Sequence, residues 1–358
     1  MKKLSIKLTT TQEREYPIFV GSHVIEKIDT LFNFSRYSKL FIITDETVAP
    51  FYLEKLRNAL PAKVAEIILP SGESAKEIQY LTKIWQQMIA EQIDRKSLII
   101  NLGGGVIGDI GGFAASTYMR GVDFINIPTT LLAQVDESVG GKTMINFAGI
   151  KNIVGTFYQP SAVIIDVETI KTLPARQLLN GFAEIIKHGL IKDKQYFDLV
   201  TSKKPTDFSQ EELIEIIARS NVIKAEFVES DEKESGMRKI VNYGHTIGHA
   251  IEALSLESKK SLLHGEAISI GMVAENKIAV EIGLLSEKNA ELVKKTLENT
   301  GLPVEIPDFP IDEIIEKMKS DKKNTGGTIN FTLLKSIGEG VINQTVSEEI
   351  IRKTLATS

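Results

Sequence analysis

The sequence contains no cysteine among its 358 residues. Disulfide bonds are therefore excluded, and any bound metal must be held by nitrogen and oxygen ligands. The chain also has no uninterrupted apolar run of the roughly 20 residues that a membrane-spanning helix needs. Internal repeats and low-complexity tracts are missing as well, and the 42% hydrophobic and 25% charged content is that of ordinary globular domains.

An excess of basic residues is missing too. Lysine and arginine number 42 against 47 acidic residues, which gives a net charge of −5. This balance argues against a nucleic-acid-binding surface, although it leaves room for a local basic pocket. Residues 1–10 alternate polar and apolar side chains, which predicts a strand, whereas a signal peptide needs a continuous apolar segment. We therefore expect a cytoplasmic location.

The first half of the chain alternates short β-branched runs with helical patterns. Several runs are apolar throughout, which is typical of strands buried on both faces. The alternation predicts a mostly parallel α/β sheet, in a first domain of ordinary size. The predicted strands are residues 40–44, 64–69, 98–102, 124–127 and 162–167.

Two predicted helix starts, one in each half of the chain, carry a capping-box signature. Ser74 and Glu77 form the first, ahead of a helix whose predicted core positions are Ile78, Leu81, Trp85 and Met88. Ser209 and Glu212 form the second.

After Asp166 the pattern becomes helical. Leu173-Pro174 predicts a helix with proline at its first position. We therefore divide the chain into an α/β nucleotide-binding domain, residues 1–173, and an all-α domain for metal and substrate, residues 174–358. The tail adds a short helix and one alternating run at Ile329, Phe331 and Leu333.

A glycine-rich loop follows the predicted strand at residues 98–102. Gly103-Gly104-Gly105-Val106-Ile107-Gly108-Asp109 fits G-x-G-x-x-G, which lets backbone N–H groups approach a pyrophosphate at a helix N-terminus. A tight turn without a ligand is the alternative. Asp45, at the end of another predicted strand, is a better candidate ribose ligand than Asp123, although Asp45 would also suit a helix cap.

Histidines are few but concentrated. Four of the five lie in one stretch: His188, His245, His249 and His264. Two histidines and a carboxylate with an open fourth position form the ligand set of a catalytic zinc site, and Glu184, in an apolar helix, supplies a carboxylate. Spacing does not decide which two histidines bind. We interpret His188 alone as structural, and His23 carries no signal.

Cations recur near both candidate sites. Lys224 continues an apolar helical stripe, 11 residues after Leu213. Together the cations suit a substrate with a carboxylate and a phosphate, while each alone reads as a surface residue with a buried stem. They are Arg120, Lys142, Lys151, Lys187, Lys224 and Arg238.

Ordered motifs across about residues 40–335 resemble the 3-dehydroquinate synthase family, within the sugar-phosphate cyclases. They include Gly72-Glu73-Ser74-Ala75-Lys76, the glycine loop, Pro128-Thr129-Thr130, residues 134–142 (QVDESVGGK), residues 180–189 (NGFAEIIKHG), residues 231–238 (DEKESGMR), residues 242–249 (NYGHTIGH), His264-Gly265-Glu266-Ala267 and Asp321-Lys322-Lys323. Ser71 departs from the family, in which many members have an acidic residue there.

The resemblance implies residue roles in a cleft between two domains. It assigns a zinc or cobalt ion to Glu184, His245 and His264. NAD would be held by Asp45, Glu73, Lys76, Gly103, Gly104, Gly105, Val106, Ile107, Gly108, Asp109, Thr129, Thr130, Lys142 and Lys151. Around the substrate it places, as catalytic groups, Asp136, Lys142, Lys187, Asn242 and His249, and, as binding groups, Lys224, Arg238 and Lys323. Arg120 resembles a residue that reaches the phosphate in the partner subunit's site, which implies a homodimer.

The implied reaction converts 3-deoxy-D-arabino-heptulosonate 7-phosphate to 3-dehydroquinate and phosphate, a step of the shikimate pathway toward aromatic amino acids. Oxidising C5 acidifies the proton at C6, so that phosphate can leave before C5 is reduced again and an aldol reaction closes the ring. Three alternatives stay open: another sugar-phosphate cyclase, a metal-dependent polyol dehydrogenase and a non-catalytic nucleotide-binding protein.

Overall fold

A computed structural model describes residues 14–61, 63–256, 261–320 and 329–356. The strand predicted within residues 1–10 and the predicted substrate ligand Lys323 lie outside these residues. Each of the five strands predicted within the described part is present, with bounds that differ by at most one residue at either end. Such differences are ordinary for element ends.

The first half forms one six-stranded sheet. Its strands are β1 (Ile18–Gly21), β2 (Leu40–Asp45), β3 (Val64–Leu69), β4 (Leu98–Gly103), β5 (Asp123–Pro128) and β8 (Ala162–Asp166). They pair in the order β1-β8-β5-β4-β2-β3, and every pairing is parallel. Between β5 and β8 the chain adds an antiparallel hairpin of β6 (Lys142–Phe147) and β7 (Ile150–Phe157). The carboxyl ends of the parallel strands share one edge, where ligands of such sheets bind.

Both faces of this sheet are buried, because helices cover them. Leu40 and Ile42 of β2 point into one apolar cluster, while Phe41 and Ile43 point into another. The flanking helices are α1 (Ile28–Leu31), α2 (Ala49–Ala59), α3 (Ile78–Ala90) and α4 (Gly105–Thr117). Burial on both sides explains why the strands read as continuous apolar runs.

The second half is helical, with one addition to the expected all-α plan. Its helices are α5 (Ala175–Lys192), α6 (Lys194–Val200), α7 (Gln210–Ser230), α8 (His245–Leu256), α9 (His264–Glu281), α10 (Glu287–Thr300), α11 (Ile311–Ser320) and α12 (Glu348–Ala356). The alternating run of the tail forms β9 (Asn330–Ser336), which pairs antiparallel with β10 (Glu339–Thr345). Phe331 and Leu333 of β9 are buried, so this hairpin completes the helical core.

Two predicted helix starts need correction. The capping box at Ser74 and Glu77 is wrong, because residues Glu73–Lys76 form a separate 3-10 turn and α3 begins only at Ile78, with Glu77 as N-cap. Pro174 is the extended N-cap residue of α5 and not its first helical residue. The second capping box is confirmed, since the Ser209 hydroxyl and the Glu212 carboxylate bind each other's backbone N–H groups.

A single π-helical turn, Ala133–Glu137, links the sheet to the helical half. The side-chain amide of Gln134 donates to the carbonyl of Asp166 (3.2 Å), at the end of β8, and to the Thr169 hydroxyl (2.8 Å). In return, the Gln134 carbonyl accepts from the side-chain amide of Asn221 on α7 (2.9 Å). Asp136, in the same turn, is thereby fixed between the two halves.

Candidate active site

The glycine loop lies at the carboxyl edge of the sheet, between β4 and α4. Gly104 is the N-cap of α4, and the N–H groups of Ile107 and Gly108 bond back to its carbonyl (3.0 and 3.1 Å). A side chain at Gly105 would clash with the Glu137 carboxylate, and one at Gly104 would lie 2.9 Å from Thr130. The strand–loop–helix geometry predicted for a dinucleotide is therefore present. Ile107 points into the core, so it offers a ligand backbone groups only.

Beside this loop, Lys76 is almost completely buried among polar groups. Its ammonium group donates to the carboxylate of Asp109 (2.6 Å) and to the side-chain carbonyl of Asn152 (2.6 Å), and Glu73 lies 3.9 Å away. Burial alone would lower the pKa of Lys76, but the charges of Asp109 and Glu73 raise it. Burial also raises the pKa of Asp109 in spite of Lys76. Three of the residues predicted around NAD therefore meet here.

Of the other predicted NAD residues, some lie at this edge of the sheet and one, Lys151, contacts helix α8 instead. The N–H of Thr129 bonds to the Gly103 carbonyl (3.0 Å). The Asp45 carboxylate accepts from the N–H groups of Thr47 (2.8 Å) and Val48 (3.0 Å) in the turn before α2, but the N-cap of α2 is Val48 and has no side-chain cap bond, so Asp45 does not cap this helix. Lys151 instead reaches α8, where its ammonium group donates to Glu252 (3.0 Å).

The predicted metal ligands converge from three helices. The carboxylate oxygen Oε1 of Glu184 on α5 lies 3.9 Å from His245 Nε2 on α8 and 3.8 Å from His264 Nε2 on α9. His249 is close by, with its ring centroid 5.0 Å from that of His245 and 5.7 Å from that of His264. Glu184 is 0% exposed, and its Oε1 has no hydrogen-bond partner among the described residues.

His245 and His264 face Glu184 with Nε2, and the other ring nitrogen of each, Nδ1, also has a partner. His264 Nδ1 lies 3.0 Å from the Glu252 carboxylate, and His245 Nδ1 lies 3.1 Å from the Tyr243 carbonyl. Burial would lower the pKa of His264, but Glu252 outweighs it and raises that pKa to about 9. Metal-binding histidines ordinarily have such a partner on the nitrogen that faces away from the ion. Sequence reasoning missed Glu252, which lies three residues after His249.

A second group of charges surrounds Asp136. Its Oδ1 accepts from the Lys224 ammonium group (2.5 Å) and lies 3.5 Å from His188 Nε2. Burial would raise the pKa of Asp136, but Lys224 and Lys187, together with His188, hold it well below its usual range. Asp136 is therefore ionised at neutral pH.

Lys187 joins this group to the metal ligands. It forms an ion pair with the Oε2 of Glu184, one turn away on α5, and both side chains are 1% exposed. Asp136, Glu184 and His188 are also close enough to share an ion. The ammonium groups of Lys187 and Lys224 already lie against these carboxylates, however, and would repel a cation. The three histidines with Glu184 are the better metal site.

The sequence predicts a structural role for His188, and the structure places its ring between Ser220 and Asp136. Its ring is completely buried, with Nδ1 2.7 Å from the Ser220 hydroxyl on α7 and Nε2 facing Asp136. Burial lowers the pKa of His188. The ring is therefore held between Ser220 and Asp136.

The remaining predicted substrate groups lie in or against residues 232–242. Lys142 forms an ion pair with Glu234, and the Asn242 side-chain amide donates to the same carboxylate (2.8 Å). Arg238 is buried, and its guanidinium group donates to the carbonyls of Gly140 (3.2 Å) and Glu232 (2.6 Å). Glu234 lies in the motif at residues 231–238, four residues before Arg238, and sequence reasoning missed its contact with Lys142.

Arg120 is not brought into this cleft. It follows the C-terminal end of α4, whereas the glycine loop precedes its N-terminal end, and 13 helical residues span about 20 Å. The backbone of Arg120 is left-handed (φ 69°), and its side chain is exposed.

No helix within the described residues is long and apolar enough to cross a membrane.

Two family models together match most of the chain. Residues 66–180 match the model described as 3-dehydroquinate synthase N-terminal, and residues 181–324 match 3-dehydroquinate synthase C-terminal. Similar curated proteins include the 3-dehydroquinate synthase of Ruminiclostridium cellulolyticum, 44% identical over 96% of both chains. The 3-dehydroquinate synthase of Thermodesulfovibrio yellowstonii is also 44% identical, over 99% of both chains.

Solved structures of related enzymes show the same fold. A 2-deoxy-scyllo-inosose synthase complexed with carbaglucose-6-phosphate, NAD⁺ and Co²⁺ is 27% identical, with a TM-score of 0.86 over 95% of this chain and 96% of that one. A 2-epi-5-epi-valiolone synthase from Streptomyces hygroscopicus with NAD⁺ and Zn²⁺ bound is 28% identical, with a TM-score of 0.87 over 98% and 99%. A probable glycerol dehydrogenase from Sinorhizobium meliloti, 12% identical with a TM-score of 0.66, shares the fold alone. The chain belongs to the 3-dehydroquinate synthase family.

Proposed function

We propose that this chain is a carbon–oxygen lyase that converts 3-deoxy-D-arabino-heptulosonate 7-phosphate to 3-dehydroquinate and phosphate. The observation that carries the proposal is the position of Glu184. One of its oxygens faces His245 and His264, while the other pairs with Lys187 in the group of cations around Asp136. A metal site and a binding site for a phosphorylated acid therefore share one residue.

The residues fit a divalent metal ion and NAD. Lys187 pairs with Oε2 of the buried Glu184, but Oε1 has no hydrogen-bond partner among the described residues, so this oxygen is left for a second cation. His245 and His264 have partners on their other ring nitrogens, as ligands of zinc or cobalt do. Gly105 has no side chain at the N-terminus of α4, so its backbone can approach a pyrophosphate there, and a larger residue would displace the Glu137 carboxylate.

We assign the ion to Glu184, His245 and His264. When bound, the metal ion and NAD supply Lewis acidity and reversible hydride transfer at the C5 hydroxyl of the substrate. Glu184 is fully buried, whereas the His264 side chain is 28% exposed, so the ion would be reached from the side of the histidines. The dinucleotide would lie along residues 103–109, with Lys76 and Asp109 beside it.

The side chains around the cleft supply charge stabilisation and proton transfer. Lys142, Lys187 and Lys224 would stabilise the negative charge of the departing phosphate. Asp136, held ionised by Lys224, is the candidate base, with His249 as a second proton-transfer group. Arg238 and Asn242 would recognise the substrate's carboxylate, a group that the sugar phosphates of the rival cyclases lack.

The test offers the purified chain three substrates, each with NAD and Zn²⁺: the heptulosonate phosphate, glucose 6-phosphate and sedoheptulose 7-phosphate. Phosphate release and dehydroquinate absorbance are measured together with NADH. Only the heptulosonate phosphate should react, and NADH should not accumulate, because the hydride returns to C5. Turnover of either sugar phosphate alone would assign another cyclase. Net NADH formation from a polyol would indicate a dehydrogenase instead.

We further propose a homodimer formed through the hairpin of β6 and β7. This hairpin exposes an apolar patch, and contiguous exposed apolar patches mark interaction surfaces. Five apolar side chains in it are 39–52% exposed: Phe147, Ile150, Ile153, Val154 and Phe157. The Thr156 hydroxyl donates to Ser116 near the C-terminal end of α4 (2.8 Å), so this surface adjoins Arg120. A dimer would then place Arg120 near the second copy.

Sedimentation velocity tests the dimer. The unaltered chain is expected to have an apparent mass of twice 39.6 kDa. Val154→Lys is expected to lower that apparent mass toward the value of the monomer. Val222→Lys, at a position on α7 that is 58% exposed, is the matched control and should remain dimeric. A monomeric unaltered chain would contradict the dimer, and a dimeric Val154→Lys would exclude this hairpin as its interface.

A further inference from the structure

Three residues of α5 lie on one face of the helix, four positions apart: Arg176, Asn180 and Glu184. Each contacts a different residue in the first turn of α9. Glu184 lies 3.8 Å from His264, Asn180 accepts from the N–H of Gly265 (2.6 Å), and Arg176 binds the carboxylate of Glu266. Successive turns of α5 therefore hold successive residues of α9.

Of these three contacts, that of Arg176 lies farthest from the metal ligands along α5, and it is made by two hydrogen bonds to one carboxylate. Its Nε and Nη2 donate to the two carboxylate oxygens of Glu266 (2.6 and 2.7 Å), a bidentate geometry that lysine cannot reproduce. Nη2 also donates to the carbonyl of Ser261 (2.8 Å), ahead of the helix. Glu266 in turn accepts from the N–H of Leu263, so the same carboxylate caps α9 and binds Arg176.

Asn180 closes the gap between Arg176 and the metal site. It is 5% exposed, and a side chain at residue 265 would clash with its backbone carbonyl, so the two helices touch at Gly265. The Gly265 N–H belongs to the first turn of a helix, where intrahelical acceptors are missing. Asn180 supplies that acceptor and fixes the direction in which the preceding His264 leaves the helix.

We propose that Arg176 and Asn180 are positioning residues for the metal centre, which set its affinity for Zn²⁺ by holding the N-terminus of α9 so that His264 faces Glu184. Neither residue touches the ion or the substrate. The inference rests on the proposed metal site, and it adds two residues that the ligand set does not contain.

The test is zinc affinity, measured on the full-length chain by competition with a chromophoric chelator. Arg176→Ala is expected to raise the zinc dissociation constant about 10-fold, the low end of the effect of removing a partner of a metal ligand. Arg176→Lys, which keeps the charge but not the bidentate geometry, should fall between that variant and the unaltered chain. Asn180→Ala should weaken zinc at least as much, and Asn180→Asp, which keeps an acceptor, should weaken it less.

A closely matched control exists elsewhere in the chain. Lys203 binds both carboxylate oxygens of Glu212, which caps α7 just as Glu266 caps α9, but no metal ligand follows. Lys203→Ala should change zinc affinity by less than about twofold, because the helix that Glu212 caps carries no metal ligand. The thermal midpoints of the metal-free variants show whether each folds.

The outcomes separate this inference from the proposed function. If the unaltered chain binds no zinc at one equivalent, the proposed metal site fails. If it binds zinc and folded Arg176→Ala matches Lys203→Ala in affinity, the positioning role fails while the metal site stands. At saturating zinc, Arg176→Ala should regain most of its turnover, because Arg176 contacts no substrate. Persistent loss of turnover at full occupancy would contradict a role through the metal.

Discussion

Replacing Glu184 with alanine is expected to weaken zinc binding by about 100-fold and to abolish turnover. Structural zinc sites with four ligands bind with about 10–16 kcal/mol, so an equal share is about 3 kcal/mol per ligand, or roughly 100-fold. The same substitution leaves the Lys187 ammonium group buried without its partner, which destabilises the fold by about 3–5 kcal/mol. Metal content after dialysis and the thermal midpoint measure the two effects.

Glu184→Gln separates metal loss from unfolding, because its side-chain carbonyl still accepts from Lys187 but is a poor zinc ligand. It should be nearly as stable as the unaltered chain and still lack zinc. His249→Ala is the control inside the histidine cluster, with zinc retained and turnover lost. If His249→Ala loses as much zinc as Glu184→Ala, then His249 is a ligand. Full zinc occupancy in Glu184→Gln would refute the assignment of Glu184.

Exchanging Asp136 for asparagine is expected to lower kcat by about 10²–10⁴-fold, the usual contribution of a positioned acid or base. The Asp136 pKa is held well below its usual range, so at neutral pH the native group is a carboxylate that can accept a proton. Asparagine has nearly the same shape but cannot accept one. Zinc and NAD affinities should stay close to native, because Asp136 is assigned to neither. Steady-state kinetics and equilibrium binding measure these quantities separately.

Asp166→Asn is the matched control for Asp136→Asn. Asp166 is also a buried carboxylate, 2% exposed, but it accepts from the backbone N–H groups of His23 (3.0 Å) and Ile25 (3.1 Å). Its replacement should lower stability and leave kcat unchanged for the folded protein. An Asp136→Asn chain with native kcat would exclude Asp136 as the base. Loss of kcat in both variants would point to general destabilisation instead.

The sheet could be predicted from sequence because its signal is local. Burial on both faces makes β2 and β4 continuous apolar runs. Such a run can be recognised without knowing which strands lie beside it. The start of α3 was misplaced because Ser74 and Glu77 match a capping box only in spacing. The Gly72 backbone (φ 92°) starts a separate 3-10 turn instead, which no local pattern shows.

The site could be predicted in its residue types but not in its pairings. Glu184, His245 and His264 were expected to share a metal ion through family resemblance, since spacing alone left the choice of histidines open. Glu252 and Glu234 were missed because an acidic residue on a helix or loop is usually solvated, and only tertiary packing places these two against His264 and Lys142. Pairings of this kind depend on contacts between residues far apart in sequence.

The π-helical turn at Ala133–Glu137 makes each half of the chain chemically incomplete. The carboxylate of Asp136 comes from the stretch that precedes β8, whereas Lys187, His188 and Lys224, which set its ionisation, come from α5 and α7. Cleavage of the chain near residue 174 would therefore separate Asp136 from the lysines that keep it ionised. The second fragment would keep Lys187 and Lys224 without the Asp136 carboxylate. The role proposed for Asp136 therefore needs side chains from both halves, and neither fragment alone is expected to provide it.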